Sequence, residues 1–212
     1  MVSVFLVDDH PMLRQGVAQL IELEDGLSVI GEAGTGEEAL QGAVALDPDM
    51  ILLDLNMKGM GGIETLAALR EQGVTACIMV FTVSDLHDDV IAALRAGADG
   101  YLLKDTEPEE LLRSIKLASQ GQPVFSPQLA RILAAGVRNP ARDPSLQLAQ
   151  LTGREVQILQ CVAQGKTNKN IARELAIADS TVKVHVKNLL RKIGLRSRVE
   201  AAVWVLENKL FD

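Results

Sequence analysis

The sequence predicts two domains: an α/β domain built on a five-stranded parallel sheet over residues 1–120, and an all-α domain of four helices over residues 148–212. In the first, short apolar runs alternate five times with amphipathic segments, an order that favours a parallel sheet with helices on both faces. In the second, four helical patterns follow one another without a strand. A chain of 212 residues is long enough for two small domains, each with its own core.

Five short apolar runs are the strand candidates of the α/β domain. They lie at residues 2–7, 27–31, 50–53, 76–81 and 100–103. Patterns with the helical period follow them, at roughly 12–22, 36–46, 62–71, 86–96 and 108–119. Loops at the carboxyl ends of parallel strands form the ligand crevice of such folds, so functional residues are expected directly after these runs.

Residues 121–147 are predicted to be an interdomain linker. Periodicity fails there because turn-forming and helix-breaking residues recur, as in Gly121-Gln122-Pro123, Asn139-Pro140 and Asp143-Pro144. The stretch has room for one short helix at 128–135. The first domain is therefore expected to end near residue 120 and the second to begin near residue 148.

The second domain contains a predicted helix-turn-helix. Its helical patterns lie at 153–164, 168–175, 180–192 and 198–208. The first and last of these begin with the Ser/Thr-x-x-Glu capping pattern, which fixes a helix start. The second and third are separated only by the turn 176–179, a spacing typical of the helix-turn-helix.

Charge is divided unevenly between the two domains. Residues 1–120 carry 21 Asp and Glu against 7 Lys and Arg, a net charge of −14, whereas residues 148–212 carry 6 against 11, a net charge of +5. The net charge of −7 for the whole chain hides this asymmetry. It indicates an acidic regulatory half joined to a basic half that binds an anionic partner.

Two further observations bound the class of protein. No apolar run approaches the ~20 residues of a membrane span, and the N-terminus lacks the basic region and cleavage site of a signal peptide. We therefore expect a cytoplasmic protein with no membrane partner. Cys77 and Cys161 lie far apart within apolar stretches, which favours buried free thiols over a disulfide or a metal site.

Polar residues follow four of the five predicted strands. Asp8 and Asp9 end the first, Asp54 ends the third, Thr82 follows the fourth and Lys104 follows the fifth. If the sheet brings these strands together, the side chains converge at one edge. Three carboxylates in one pocket repel one another, and Mg²⁺ is the natural counterion for hard oxygen ligands. Asp54 would then attack a phosphoryl group whose oxygens are held by Thr82 and Lys104.

The second helix of the predicted helix-turn-helix has an apolar and a basic face. The apolar face is formed by Val182, Val186, Leu189 and Ile193. The outward face carries the residues expected to contact DNA, which are Lys183, Val184, Lys187 and Arg191. A helix of this kind enters the major groove, with base contacts near its start and Lys or Arg on the phosphates.

The motifs of the first domain resemble those of response-regulator receivers. Val7-Asp8-Asp9-His10-Pro11, Leu53-Asp54-Leu55-Asn56-Met57 and Leu103-Lys104 stand at the family's places. The resemblance implies a flavodoxin-like fold of the CheY type and phosphorylation by a sensor histidine kinase on Asp54. It further implies Mg²⁺ bound by Asp8, Asp9, Asp54 and the carbonyl of Asn56, phosphoryl contacts from Thr82 and Lys104, and a switch role for Tyr101.

One residue departs from the receiver pattern. Lys58 stands where the family usually has Pro after Asn-Met. Pro would stiffen the loop after Asp54, whereas Lys loosens it and adds a cation near the pocket. The departure leaves the role of Asp54 intact, but leaves the phosphate lifetime and the metal affinity open.

The second domain resembles LuxR-type DNA-binding domains through Leu151-Thr152-x-Arg154-Glu155, Asn168-x-x-Ile171-Ala172 and Thr181-Val182-Lys183-x-His185. The whole chain resembles the NarL/FixJ group of two-component response regulators, in particular its nitrate- and nitrite-responsive members. This implies sequence-specific DNA binding, control of nitrate- and nitrite-responsive respiratory genes, and no enzymatic role. The implied partners are promoter DNA, the sensor kinase, RNA polymerase and a second copy of the chain on DNA.

The last predicted helix carries an apolar stripe formed by Val199, Ala202, Val203 and Leu206. Such a stripe usually packs within the core of its own domain. LuxR-type domains, however, resemble one another in pairing through this helix on DNA. The sequence leaves both uses open, and part of the helix can serve both.

Three other classes of function fit the residues less well. A phosphotransferase or phosphatase with an aspartyl-phosphate is expected to have Asp-x-Asp after a strand, and Asn56 takes the place of the second acid. A nucleotide- or flavin-binding protein is expected to have a Gly- or Ser/Thr-rich loop where Asp8 and Asp9 would repel phosphate. An output that binds only protein leaves the basic helix unexplained.

Overall fold

The computed structural model of the chain describes residues 1–120, 124 and 144–211. The chain divides into two compact units, Met1–Ser119 and Gln120–Asp212. The short helix expected at 128–135, with most of the predicted linker, lies outside the described residues. None of the described helices has both the length and the apolar character that crossing a membrane requires.

The first unit is a five-stranded sheet in the order β2-β1-β3-β4-β5. Every neighbouring pair of strands is parallel, as predicted from the alternation of strand and helix patterns. The strands are β1 (Val2–Val7), β2 (Leu27–Ala33), β3 (Met50–Leu53), β4 (Cys77–Thr82) and β5 (Gly100–Leu103). The helices are α1 (Pro11–Glu22), α2 (Gly36–Leu46), α3 (Gly62–Glu71), α4 (His87–Ala96) and α5 (Pro108–Ser119).

Two strands differ from the predicted bounds. β2 runs two residues beyond the predicted 27–31, because Glu32 and Ala33 continue the pairing with Leu6 and Val7 of β1. β4 begins and ends one residue later than predicted, so that Thr82 is its last residue rather than the one after it. The shift keeps Thr82 in the ladder, where it pairs with Leu103.

The core of the first unit lies around its central strands. Every residue of β3 is buried, as are the last four residues of β1. α1 packs against α5, while α2, α3 and α4 pack against one another in sequence. Apolar runs without alternation are typical of strands covered on both faces, which explains why β3 reads Met-Ile-Leu-Leu.

A buried ion pair ties together the amino-terminal edge of the sheet. Nη2 of Arg70, near the end of α3, lies 2.5 Å from Oδ2 of Asp99, with the two side chains 6% and 2% exposed. The same guanidinium donates hydrogen bonds to the carbonyls of Gly97, Val74 and Ala76. One side chain therefore connects α3, the segment before β4 and the turn before β5.

The second unit is all-α over residues 144–211. Its helices are α6 (Pro144–Leu148), α7 (Gly153–Ala163), α8 (Asn168–Glu174), α9 (Asp179–Ile193) and α10 (Arg198–Glu207). The last four correspond to the four predicted helices. Their buried faces form one apolar core, in which Ile158, Leu159, Ile171, Val182 and Leu189 have almost no exposed surface.

α6 falls within the stretch whose periodicity fails in the sequence. Pro144 occupies its first position, where a missing N–H costs nothing and the fixed φ suits a helix. The side chain of Gln147 is buried and its Nε2 donates to the carbonyl of Ile193 at 2.6 Å. The residues just before 148 therefore pack onto the end of α9 instead of forming an open connection.

Candidate functional site

The register of the sheet aligns the ends of β1, β3, β4 and β5. The N–H of Asp54 donates to the carbonyl of Val7 at 2.9 Å, and the N–H of Lys104 donates to the carbonyl of Thr82 at 2.8 Å. These hydrogen bonds hold the residues at the ends of neighbouring strands side by side at the carboxyl edge of the sheet. The predicted convergence of Asp8, Asp54, Thr82 and Lys104 at one edge follows from this pairing.

Lys104 bridges two of the carboxylates. Its Nζ lies 2.7 Å from Oδ2 of Asp8 and 2.7 Å from Oδ2 of Asp54. The three side chains are 8%, 9% and 1% exposed, with Asp54 the most deeply buried. A buried carboxylate is tolerable only when it is paired, so Lys104 accounts for the position of Asp54.

A third carboxylate and an imidazole complete the cluster. Asp8, Asp9, His10 and Asp54 each offer one ligand atom, and these four atoms lie within 4.8 Å of one another. Nδ1 of His10 is 2.8 Å from Oδ1 of Asp9. Three carboxylates at this spacing suit a hard divalent cation such as Mg²⁺. His10 is not among the metal ligands expected from the sequence, although its place directly after Asp9 was the available signal.

Asn56 and Thr82 meet across the pocket. Oγ1 of Thr82 accepts a hydrogen bond from Nδ2 of Asn56 at 3.2 Å and one from the N–H of Ser84 at 3.3 Å. The N–H of Asn56 donates to Oδ1 of Asp54 at 3.2 Å. A hydroxyl that accepts two bonds can still donate its proton. Thr82 is thus fixed with a donor available to an oxygen of a bound group.

Tyr101 points into the protein beside this pocket. It is buried, and its hydroxyl donates to the carbonyl of Ser84 at 2.8 Å. Burial, with a further contribution from the charge of Asp89, raises the pKa of Tyr101 to about 12. The phenol therefore remains protonated and continues to donate to Ser84 at neutral pH. Since the N–H of Ser84 also donates to Thr82, a chain of hydrogen bonds connects Tyr101 with the end of β4.

A close backbone approach positions the loop after β3. A Cβ at Gly62 would lie 2.1 Å from the carbonyl oxygen of Asp54 and 2.5 Å from Cα of Leu55. The N–H of Gly62 also donates to the carbonyl of Leu55 at 2.9 Å. Only glycine fits at this first position of α3, a requirement that the sequence pattern does not reveal because it depends on contacts with residues seven and eight positions back along the chain.

α8 and α9 form the predicted helix-turn-helix. The face predicted to be apolar is buried throughout, at Val182, Val186, Leu189 and Ile193. On the outward face Val184 is 57% exposed, and Lys187 and Arg191 are exposed as well. Lys183 differs from the other three, because its side chain is 12% exposed and its Nζ lies 3.8 Å from Oδ2 of Asp179.

The start of α7 is fixed to the end of α9. Thr152 and Glu155 form the predicted capping box, and Oε2 of Glu155 lies 2.6 Å from Nζ of Lys192. Burial alone would raise the pKa of Glu155, but the hydrogen bonds from Lys192 and Thr152 outweigh it and hold the pKa below its ordinary value. The ionised carboxylate is therefore the form that joins the two helices.

The apolar stripe of the last helix lies beside the core of the second unit and not within it. The core residues of α10 are Ala201, Trp204 and Val205. The predicted stripe consists of Val199, Ala202 and Val203, which are partly exposed, and Leu206, which is 67% exposed. The sequence left open whether the stripe packs within the core or pairs with a second copy. Packing within the core is done by Ala201, Trp204 and Val205 and not by the stripe.

Comparison with known proteins agrees with this architecture. Residues 4–116 match the response regulator receiver domain, and residues 149–205 match the bacterial regulatory proteins of the luxR family. The chain is 53% identical to the nitrate/nitrite response regulator protein NarL of Escherichia coli K12, over 99% of this chain and 97% of the relative. It is 50% identical to NarP of the same organism, over 98% of this chain and 95% of the relative.

The fold is also found among solved structures. A LuxR-family two-component response regulator from Aurantimonas sp. is 35% identical, with a TM-score of 0.58 over 64% of this chain and 96% of that chain. The receiver domain of a response regulator from Mycobacterium tuberculosis is 36% identical, with a TM-score of 0.55 over 57% of this chain and 98% of that chain. With its acidic sheet edge, its helix-turn-helix and these matches, the chain belongs to the response regulators that join a receiver domain to a LuxR-type DNA-binding domain.

Proposed function

We propose that the chain is the DNA-binding partner of a sensor histidine kinase, and that phosphorylation of Asp54 controls its binding to promoters. The observation that carries this proposal is the burial of Asp54 with its Oδ2 at 2.7 Å from Nζ of Lys104, at the edge where Asp8 also lies. In this proposal residues 1–120 are the receiver, 148–212 are the DNA-binding domain, and 121–147 join them, with 144–147 already helical in α6. The family acts by switching DNA binding, so no classical enzyme activity is assigned.

The chemistry of the pocket is phosphoryl transfer. A carboxylate oxygen of Asp54 forms a bond to phosphorus while the bond from phosphorus to the kinase histidine nitrogen breaks. Lys104 and the Thr82 hydroxyl hold the transferred oxygens. Asp8, Asp9 and Asp54 would hold Mg²⁺, together with the carbonyl of Asn56 in this proposal, and the cation would supply positive charge that offsets the phosphoryl oxygens.

Asp54→Asn is expected to abolish phosphorylation, because the amide lacks the carboxylate oxygen that attacks phosphorus. The measurement is the intact mass of the full chain after incubation with Mg²⁺ and acetyl phosphate. Asp105→Asn is the matched control, since Asp105 is an exposed acid directly after Lys104. Phosphate on the Asp54→Asn protein would contradict the assignment of Asp54 as the phosphoacceptor.

We infer that α9 reads DNA through Lys183, Val184 and Lys187, with Arg191 on a phosphate. Alanine at Lys183 or Lys187 is expected to weaken operator binding more than binding to random duplex, by about 1–3 kcal/mol where a base contact is lost. Arg191→Ala should weaken both alike, because phosphate contacts carry no sequence information. Binding isotherms on the two duplexes at one salt concentration measure this. Equal losses on both duplexes for all three variants would remove the base-reading role.

The proposed target genes rest on the relatives. NarL and NarP of Escherichia coli are named for the response to nitrate and nitrite. We propose that this chain likewise controls respiratory genes that respond to nitrate and nitrite. Its action is then in the cytoplasm, with RNA polymerase as a further partner. Genome-wide mapping of bound sites with and without nitrate tests this, and sites that ignore nitrate would contradict it.

Pairing on DNA is proposed to use α10. The stripe of Val199, Ala202, Val203 and Leu206 supports this, because it is apolar and lies beside the core of the unit. A second copy of the chain would cover it when two half-sites are occupied.

A further inference from the structure

The loop after the phosphoacceptor contains a hydrogen bond that proline could not make. The backbone N–H of Lys58 donates to Oδ2 of Asp9 at 3.2 Å. Receivers usually have Pro at this position, and Pro has no N–H. With Lys58 in place of Pro, the loop lacks the rigid proline ring and gains a hydrogen bond to Asp9.

This hydrogen bond joins two loops that carry proposed ligands of the cation. Asp9 belongs to the loop after β1, and its side chain is 15% exposed. Lys58 belongs to the loop after β3, two residues beyond Asn56, whose carbonyl is a proposed ligand. Oδ1 of Asp9 lies 2.8 Å from Nδ1 of His10, so this oxygen is next to the imidazole while Oδ2 is next to the Lys58 amide. The Lys58 amide therefore fixes the rotation of the carboxylate and also the spacing of the two loops.

The side chain of Lys58 does not share this placement, because it is exposed. A charge on a flexible, solvated chain is screened by water and salt. The main-chain donor, in contrast, is held in place by the loop. The contribution of residue 58 to the pocket thus depends on whether it has an N–H, more than on what its side chain carries.

We propose that the backbone amide of Lys58 is a positioning group that holds Asp9 ready for a divalent cation. The inference rests on the proposed function in assuming that Mg²⁺ binds at this pocket. Hydrogen bonds to the ligands of a metal orient them, and their loss typically lowers metal affinity about 10- to 100-fold. Residue 58 then sets the Mg²⁺ concentration at which the receiver becomes competent.

Three substitutions in the full chain separate the amide from the charge and from loop stiffness. Lys58→Ala removes the charge and keeps the N–H, Lys58→Gly keeps the N–H and loosens the loop, and Lys58→Pro removes the N–H and stiffens the loop. Mg²⁺ affinity is measured by calorimetric titration in the absence of any phosphoryl donor. We expect Lys58→Pro to weaken binding about 10-fold, at the lower end of that range, and the other two to remain within about threefold of the parent protein.

The opposite order would overturn the proposal. If Lys58→Gly weakens Mg²⁺ binding and Lys58→Pro strengthens it, loop stiffness governs the site; if Lys58→Ala alone weakens it, the charge does. A second measurement does not depend on the proline variant folding. The position of the Lys58 amide resonance is compared between the ¹⁵N-labelled parent protein and two ¹⁵N-labelled variants. We expect it to move in Asp9→Ala and to stay in place in the exposed control Asp105→Ala. An unmoved resonance in Asp9→Ala would show that the contact is absent.

Failure of this inference is distinguishable from failure of the proposed function. Phosphorylation of the parent protein at saturating Mg²⁺ tests whether Asp54 accepts phosphate. The result does not depend on how tightly the variants at position 58 bind Mg²⁺ relative to one another. If the parent takes phosphate while all variants bind Mg²⁺ equally, the receiver function stands and the positioning role of Lys58 falls.

Discussion

Arg70→Met is expected to lower the free energy of unfolding of the first unit by about 3–5 kcal/mol. The substitution leaves the carboxylate of Asp99 buried without its counter-charge, and it removes hydrogen bonds to the carbonyls of Gly97, Val74 and Ala76. Among the residues that the structure describes, the N–H of Ile78 alone would still donate to Oδ2 of Asp99. Each buried polar group left without a partner adds its own desolvation cost.

The chain carries its own reporters for this experiment. It has one Tyr and one Trp, and Tyr101 lies in the first unit while Trp204 lies in the core of the second. In urea titrations the Tyr101 transition should shift to a lower midpoint, with the Trp204 transition unchanged. Arg113→Met is the matched control, because Arg113 pairs with Glu110 at the surface, where such pairs contribute at most about 1 kcal/mol. Equal shifts for the two substitutions would show that burial does not govern the effect.

Gly62→Ala is expected to destabilise the first unit by about 3 kcal/mol, at the upper end of the cost of overpacking. The added methyl would meet the carbonyl oxygen of Asp54 at 2.1 Å and Cα of Leu55 at 2.5 Å. Both are backbone atoms, so no side chain can rotate away, and the start of α3 or the phosphoacceptor loop must move. Phosphorylation by acetyl phosphate should fall together with stability.

Gly16→Ala provides the contrast. Gly16 lies in the interior of α1 and is exposed, and among the described residues its Cβ would come within 4 Å of no atom apart from its chain neighbours and the nearby backbone of its own helix. Alanine there should stabilise the unit by about 1 kcal/mol, because it favours the helix. Midpoints of the Tyr101 transition measure both variants. If both substitutions shift the midpoint in the same direction, the close approach at Gly62 does not cause the change in stability.

Those parts of the fold that local patterns determine were predictable from the sequence. β1, β3 and β5 have the predicted bounds, because each is an apolar run closed by a polar or acidic residue. The convergence of Asp8, Asp54 and Lys104 was predictable for the same reason, since it requires only that strand ends meet at one edge. The buried face of α9 follows directly from the helical period.

The remaining features depend on contacts between distant segments. Nothing local marks Arg70 as buried, because Arg is usually exposed and its partner Asp99 lies 29 residues further along the chain. Gly62 reads as an ordinary loop glycine until the carbonyl of Asp54 is placed against it. Lys183 was expected to face outward with Lys187, but it lies near Asp179 at the start of the same helix, an interaction that periodicity alone does not show.

The charges at the carboxyl edge of the sheet bear on how a divalent cation and a phosphoryl donor would act together in the proposed function. Asp8, Asp9 and Asp54 together with Lys104 give a net charge of −2 when His10 is neutral. One divalent cation brings this edge to electroneutrality, whereas a monovalent cation leaves it negative. An anionic phosphoryl donor is repelled in the second case and not in the first. If Asp54 is phosphorylated as proposed, we expect the reaction to need a divalent cation together with the phosphoryl donor, so that the cation concentration in the cell sets a threshold before any kinase acts.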